Sequence, residues 1–307
     1  MRTRLTGLIA AALLAGCTTA GTSAGRVPMP DLTPAAAGVL TSGMVASTND
    51  AAVQAQSAAF GAFVKQTTGK ETRPLLFPDY DSLASAISKG MVDVAFMPPL
   101  AFVRAQAQAK VSALGKAIRN GQSTYRSVLF GNASAKVKTL EELKKAKDLR
   151  AAWVDSSSAT GYIFPKALLY TNNIDPQGLF VTQDFLGKHD AVCLAVEGGK
   201  ADLGATFSDD PAAGPATHAT GCRNALGDKA DKLAIIAATE NIPNDVLAVR
   251  ANFPEDLKKA VQDGANGLSG SDEGKKTLKT AFLAEGFAPV TEEDFNPVHN
   301  ALGAFKQ

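Results

Sequence analysis

The stretch VDSSSATGYIFP, Val154 to Pro165, sets three consecutive serines, an alanine, a threonine and a glycine directly in front of what reads as an amphipathic helix. A helix start leaves its first N–H groups unpaired and carries a partial positive charge, so an oxyanion placed there gains hydrogen bonds and dipole stabilisation together. The hydroxyls of Ser158 and Thr160 would add donors in the same direction. A simpler use is N-capping, for which a single Ser or Thr suffices. A third is a nucleophile, but no G-x-S-x-G elbow surrounds Ser158, and nothing distinguishes it from its neighbouring serines. The flanking segments have to arbitrate.

Immediately around this stretch, helix TLEELKKAK, strand RAAWVD, strand LFVTQD, helix DAVCLAVEGGK and strand DLGATF alternate. The same alternation runs upstream from Gly38. GVLTSGMVAS reads as a strand, AAVQAQSAAFGAFVKQTTG as an Ala-rich helix stopped at Gly69, and RPLLFP as a strand. DSLASAISKG follows as a helix capped by Asp81, and VDVAFM as a third strand. Repeated βα units imply largely parallel sheets with helices on their faces. STYRSVLFGNAS is a longer strand, after which the pattern starts again. KLAIIAATENIPNDVLAVRANF supplies two more extended pieces parted at Pro243, and helices PEDLKKAVQDGANGL and DEGKKTLKTAFLAEG close the chain. The expectation is an α/β protein of two lobes, the second inserted into the first. Residues 38–130 and 242–307 would form lobe 1 and 131–241 lobe 2, with a two-strand hinge crossing near Gly131 and Asn241. Ligands of such folds sit in the crevice at the carboxyl ends of the strands.

Residues 1–16 have a signal-peptide layout: Arg2 and Arg4, the apolar run LTGLIAAALLA, then LAGC ending at Cys17. The apolar run is too short for a comfortable membrane span. Small residues before the cysteine resemble the bacterial lipoprotein signal, in which Cys17 is lipidated; an ordinary secretory signal with a chance cysteine is the plainer reading. Residues 17–37, rich in Gly, Ala, Ser, Thr and Pro, read as a flexible tether. Lys plus Arg number 31 against 30 for Asp plus Glu, which gives no electrostatic bias toward nucleic acid. Cys193 and Cys222 suit either a disulfide or two free buried thiols. Neither they nor the scattered His189, His218 and His299 form a metal pattern, and no cofactor is expected.

The ordered set FPDYDSLASAISKGMVDVAFM, YRSVLFGN, DSSSATGYIFP, KHDAVCLAVEGGKADLGATFSDD and IPNDVLAVR resembles the phosphate/phosphite/phosphonate substrate-binding proteins of ABC transporters. The likeness runs from about Val39 to near the C-terminus, and the set is specific where each motif alone is weak. It implies a type II periplasmic-binding-protein fold closing over a small phosphorus oxyanion. The protein would be lipid-anchored outside the cytoplasm and monomeric, delivering its ligand to a transporter permease. A binding protein reporting to a membrane sensor would share every site residue, and a serine hydrolase built on Ser158, His189 and an aspartate is a remote alternative.

The resemblance also implies a ligand set. Ser158, Ala159, Thr160 and Gly161 stand where the family carries a Ser-Thr-Ser-Gly oxyanion cradle, so Ala159 removes one hydroxyl and Thr160 replaces a serine. Pro98 and Pro99 depart from the glycine or polar residues expected in a first-lobe loop. Tyr80 and Tyr125 fall at first-lobe ligand positions, where a phenol donates one directed hydrogen bond; as lone residues they would read as packing tyrosines. His189 falls at a helix start that carries histidine in the family, with a capping role as its alternative. Asp209 and Asp245 stand where related binders use acids to engage the ligand's substituent, favouring a monoanion or zwitterion over a dianion; otherwise they read as solvated or turn aspartates. Asp202 reads as a turn-fixing residue.

Overall fold

The computed structural model describes residues 27–46, 50–212 and 216–305. The expected signal segment, Cys17 and the first part of the tether lie outside the described residues. The strands are β1 (Leu40–Val45), β2 (Thr72–Phe77), β3 (Val94–Met97), β4 (Ser112–Ile118), β5 (Thr124–Gly131), β6 (Leu149–Trp153), β7 (Phe180–Phe185), β8 (Leu203–Ser208), β9 (Ala234–Ala238), β10 (Ile242–Pro243), β11 (Val246–Val249) and β12 (Gly286–Ala288). The helices are α1 (Ala51–Thr68), α2 (Tyr80–Ser88), α3 (Pro99–Gln106), α4 (Leu140–Lys145), α5 (Phe164–Thr171), α6 (Pro176–Leu179), α7 (His189–Glu197), α8 (Arg223–Leu226), α9 (Glu255–Gly267), α10 (Asp272–Thr277) and α11 (Asn296–Ala304).

These elements build two lobes. The first holds a sheet of order β12-β4-β11-β3-β1-β2, parallel through β3, β1 and β2 and antiparallel at its β4, β11 and β12 side. The second holds β10-β5-β8-β6-β7, with β9 also on β5. Strands covered on both faces read as unbroken apolar runs, and β3 and β11, in the middle of the first sheet, are buried at every residue. Edge-to-face contacts among Phe63, Phe96, Phe282 and Phe287 knit α1, the sheet and the C-terminal segment together. In the second lobe the buried Trp153 indole packs edge-on against Phe180 and Tyr162. Cys193 and Cys222 form a disulfide.

Two local expectations change. Helix α1 does stop at Gly69, which takes the left-handed φ of 66°. The cap of α2, however, is Asp79 and not Asp81: the extended backbone of Asp79 lets its carboxylate accept from the Ser82 amide at 2.8 Å. Tyr80 thereby becomes the first helical residue, and Asp81, one place on, pairs with Arg104 at 2.7 Å. Residues 27–37, expected as tether, lie against the first lobe. Val27 is buried with Met44, Ala46 and Leu76, and the Thr33 carbonyl accepts from Arg73 at 2.7 Å.

The first crossing differs most. It was expected near Gly131, yet β5 pairs antiparallel with both β8 and β9 and so belongs to the second lobe. The chain leaves lobe 1 after Ile118, through a two-residue turn. Arg119 and Gln122 exchange backbone bonds of 2.8 and 2.9 Å, while Asn120 and Gly121 take φ of 51° and 70°. Asn-Gly is the pair most suited to such a turn, because both central residues need positive φ. Tyr125 therefore stands on a second-lobe strand at the crossing. The return crossing runs along the same strand, β10 pairing Ile242 with Tyr125. Asn244, buried where it enters lobe 1, donates to the Ala117 carbonyl at 3.1 Å and the Gln122 carbonyl at 2.9 Å, tying the two crossings together.

Candidate functional site

The hydroxyl stretch folds as a turn followed by a widened helix start. Asp155 accepts from the Ser157 amide at 2.8 Å and the Ser157 hydroxyl at 2.7 Å, and these bonds hold its carboxyl below the usual range. Ser158 Oγ accepts from the Gly161 amide at 3.1 Å, so Ser158 is the N-cap. Capping uses only an acceptor lone pair; the hydroxyl proton stays available to a ligand, so the capping and oxyanion readings coexist in one side chain. Ala159–Ile163 form a π turn, the Ile163 amide donating to the Ser158 carbonyl at 3.0 Å, before α5 begins. Gly161 is obligatory because a Cβ there would overlap the Val154 side chain. The Thr160 carbonyl accepts from Ser127 Oγ at 2.7 Å, which fixes this helix start against β5.

The Thr160 residue and Tyr125 line a depression of about 290 Å³ between the lobes, together with Phe207, Asp209 and Asp245. A second depression of about 360 Å³ has Tyr80 and Pro98 on the first-lobe side and Ser157 on the second. Burial pushes the Tyr125 phenol far up, and the Asp245 carboxylate and the Tyr80 phenol add to the shift. Tyr80 is likewise raised, first by burial and then by Asp245. Both therefore stay neutral donors at any physiological pH. Pro98 precedes α3 with no side-chain cap and Pro99 opens it, so neither supplies an amide donor on the first-lobe side, where Tyr80 stands.

His189 opens α7, with Nδ1 2.9 Å from the buried Thr206 Oγ1 and its ring edge-on to Phe207 at 5.3 Å. Burial lowers its pKa, against a smaller opposite pull from Asp190. It stands behind Phe207, which itself lines the depression. Ala159 is half-buried and packs against an apolar cluster that joins first-lobe residues to Ile163, Phe164 and Ala167 of the second. Asp202 lies outside this cluster of residues and pairs with the Arg150 guanidinium at 2.8 Å.

Sequence reading missed four of the lining residues, Arg119, Asn120, Phe207 and Asn244. The legible signal was the Asn120–Gly121 pair itself, a turn marker that places its neighbours at the crossing. Among the described residues no group of three or more His, Cys, Asp or Glu side chains could hold a metal, and no helix is long and apolar enough to cross a membrane.

Comparison with known proteins settles the class. Residues 42–295 match the family model described as "ABC transporter, phosphonate, periplasmic substrate-binding protein", and the chain belongs to that family. It is similar to the phosphate-import protein PhnD of Mycolicibacterium smegmatis, with 28% identity over 258 residues, 77% of this chain and 76% of that one. Among solved structures it superposes on PhnD1 from Prochlorococcus marinus in complex with methylphosphonate, with a TM-score of 0.64 and 18% identity, covering 88% of this chain and 98% of that one. It also superposes on a binding protein component of an ABC phosphonate transporter from Pseudomonas aeruginosa, with a TM-score of 0.63, 22% identity and 87% of each chain covered. The fold is thus the type II periplasmic-binding-protein fold. Family members are transport binding proteins, which removes the hydrolase alternative.

Proposed function

We propose that this protein captures a small phosphorus oxyanion, a phosphonate, phosphite or phosphate, between its two lobes and delivers it to an ABC transporter permease. One observation carries the reading: two half-buried phenols held in their neutral form, Tyr80 and Tyr125, line depressions between the lobes that Ser157 and Thr160, on either side of the Ser158 cap, also reach. An oxyanion needs several convergent N–H and O–H donors and gains from a helix dipole, and this arrangement offers both. The Ser158 and Thr160 hydroxyls and the amides of the π turn would hold the oxygens from the second lobe. The Tyr80 phenol would close from the first. His189, with Nδ1 engaged by Thr206, would present Nε2 as the remaining ring donor.

The paired crossings at Arg119–Ser123 and Thr239–Asp245 would serve as the hinge, with Asn244 keeping them in register. A lipid on Cys17 would hold the protein at the membrane beside its permease, and the protein would act as a monomer. Names of relatives support the ligand class, one being called a phosphate-import protein and another having been solved with methylphosphonate.

Calorimetry on the purified mature protein tests this with phosphate, phosphite, methylphosphonate, 2-aminoethylphosphonate, sulfate and simple carboxylates. Binding and thermal stabilisation by at least one phosphorus ligand is expected, since a ligand bound only to the folded state raises apparent stability. Binding of a carboxylate or sugar alone overturns the reading. For the anchor, Cys17→Ala should move the protein from the membrane to the soluble fraction.

A further inference from the structure

Both carboxylates expected to meet the ligand's substituent are already engaged by the turn that joins the lobes. Arg119 Nη2 donates to Asp245 Oδ2 at 2.7 Å and to the Phe282 carbonyl at 3.3 Å, and Arg119 Nε donates to the Leu283 carbonyl at 3.0 Å. Asn120 Nδ2 donates to Asp209 Oδ2 at 2.6 Å. The turn cannot easily withdraw. Glu285 accepts from the Asn120 amide at 3.2 Å and the Gly121 amide at 2.9 Å, and Asn244 holds the Gln122 carbonyl from the other side.

The consequence is electrostatic. An unpaired carboxylate in a half-dry cleft attracts a ligand ammonium and repels an oxyanion; one held by a guanidinium at contact distance does little of either. Arg119 is itself about two-thirds buried, with side-chain exposure of 31% against 25% for Asp245, so water screens the pair only in part. The bonds just given use Nε and Nη2, which leaves the two Nη1 donors without a protein acceptor among the described residues.

We propose that Arg119 determines the ligand specificity of the cleft: it neutralises Asp245 and offers its remaining donors to an oxyanion, selecting phosphorus oxyanions without a cationic substituent over zwitterionic aminoalkylphosphonates. This rests on the phosphorus-oxyanion reading above. Neighbouring Asn120 plays the lesser part, occupying one oxygen of Asp209 without altering its charge. The turn is a specificity element as well as a lobe connection.

Calorimetry with methylphosphonate and 2-aminoethylphosphonate as probes tests it. The wild type should bind methylphosphonate at least about tenfold more tightly, in keeping with the cost of leaving one member of such a charge pair unpaired. Arg119→Met, which exposes Asp245, should reverse the order; Arg119→Lys should keep it. If Arg119→Met proves unfolded by its thermal melt, the double variant Arg119→Met with Asp245→Asn carries the test, because it strands no charge and should bring the two affinities to within about threefold of each other. A wild type that prefers 2-aminoethylphosphonate, or a folded Arg119→Met or double variant that keeps the wild-type ratio, overturns the assignment of Arg119 while leaving the phosphorus reading intact. A wild type that binds neither probe nor any other phosphorus oxyanion overturns that reading and this one with it.

Discussion

His189 and Thr206 meet at 2.9 Å, the imidazole Nδ1 against a hydroxyl that is wholly buried, and the burial of the ring at this place governs its response to pH. Burial makes the folded ring harder to protonate than its ordinary value of 6.5 implies. Between that value and the depressed folded one, the unfolded chain binds more protons than the folded one, so stability falls as pH falls through the window and levels off below it. Urea unfolding followed from pH 7.5 to 5 should show this loss, and His189→Gln should flatten it. An unchanged slope in the variant would assign the dependence to another group.

Tyr125→Phe removes one phenol while keeping the ring that packs beside β10. A hydrogen bond to a charged ligand contributes about 1.5–3 kcal/mol, so affinity for the best phosphorus ligand should drop roughly tenfold to a hundredfold. The melting temperature of the free protein should stay within a few degrees. Equal binding by the variant would make Tyr125 a packing residue only.

Ala159 bears on specificity differently from the expectation raised by its missing hydroxyl. Its side chain packs against an apolar cluster drawn from both lobes, so Ala159→Thr adds bulk where the lobes meet. Overpacking of this kind costs about 1–3 kcal/mol, and methylphosphonate and phosphate should both weaken, by similar factors of about fivefold or more. A gain for phosphate alone would restore the added hydroxyl to the oxyanion cradle.

The disulfide between Cys193 and Cys222 closes a loop with a sequence separation of 29. Chain-entropy arguments assign a bridge of that span about 3.6 kcal/mol. Reduction, or replacement of both cysteines by alanine, should lower unfolding free energy by about that amount and leave the first lobe's packing unchanged, as read by denaturant titration and near-ultraviolet circular dichroism.

Much of this was legible because the signals are local. The alternation of apolar runs with Gly-stopped amphipathic helices announces two α/β lobes, and Gly69 ends its helix where the sequence says. Asp79 and Asp81 are equally good caps on paper; only the extended backbone at Asp79 decides between them. The π turn at Ala159–Ile163 has no sequence period of its own, since it arises from how Gly161 seats against Val154. Asn120–Gly121 was readable as a turn, but that this turn is also the first lobe crossing follows from β5 finding β8 and β9, partners more than seventy residues downstream. The same distance hides the pairing of Arg119 with Asp245 and of Asn120 with Asp209. Such pairs join separate segments, and spacing along a chain carries no information about them.

The bridge between Cys193 and Cys222 also decides where the second lobe can be completed. Thiol-rich cytosol does not sustain such a link, so α7, which begins with His189, is clamped to the turn at Thr220–Cys222 only after the chain meets an oxidant. A copy retained at its place of synthesis would keep both sheets but hold α7 less firmly against that turn. Completion of the second lobe is thereby tied to an oxidising compartment, where the family's binding proteins work.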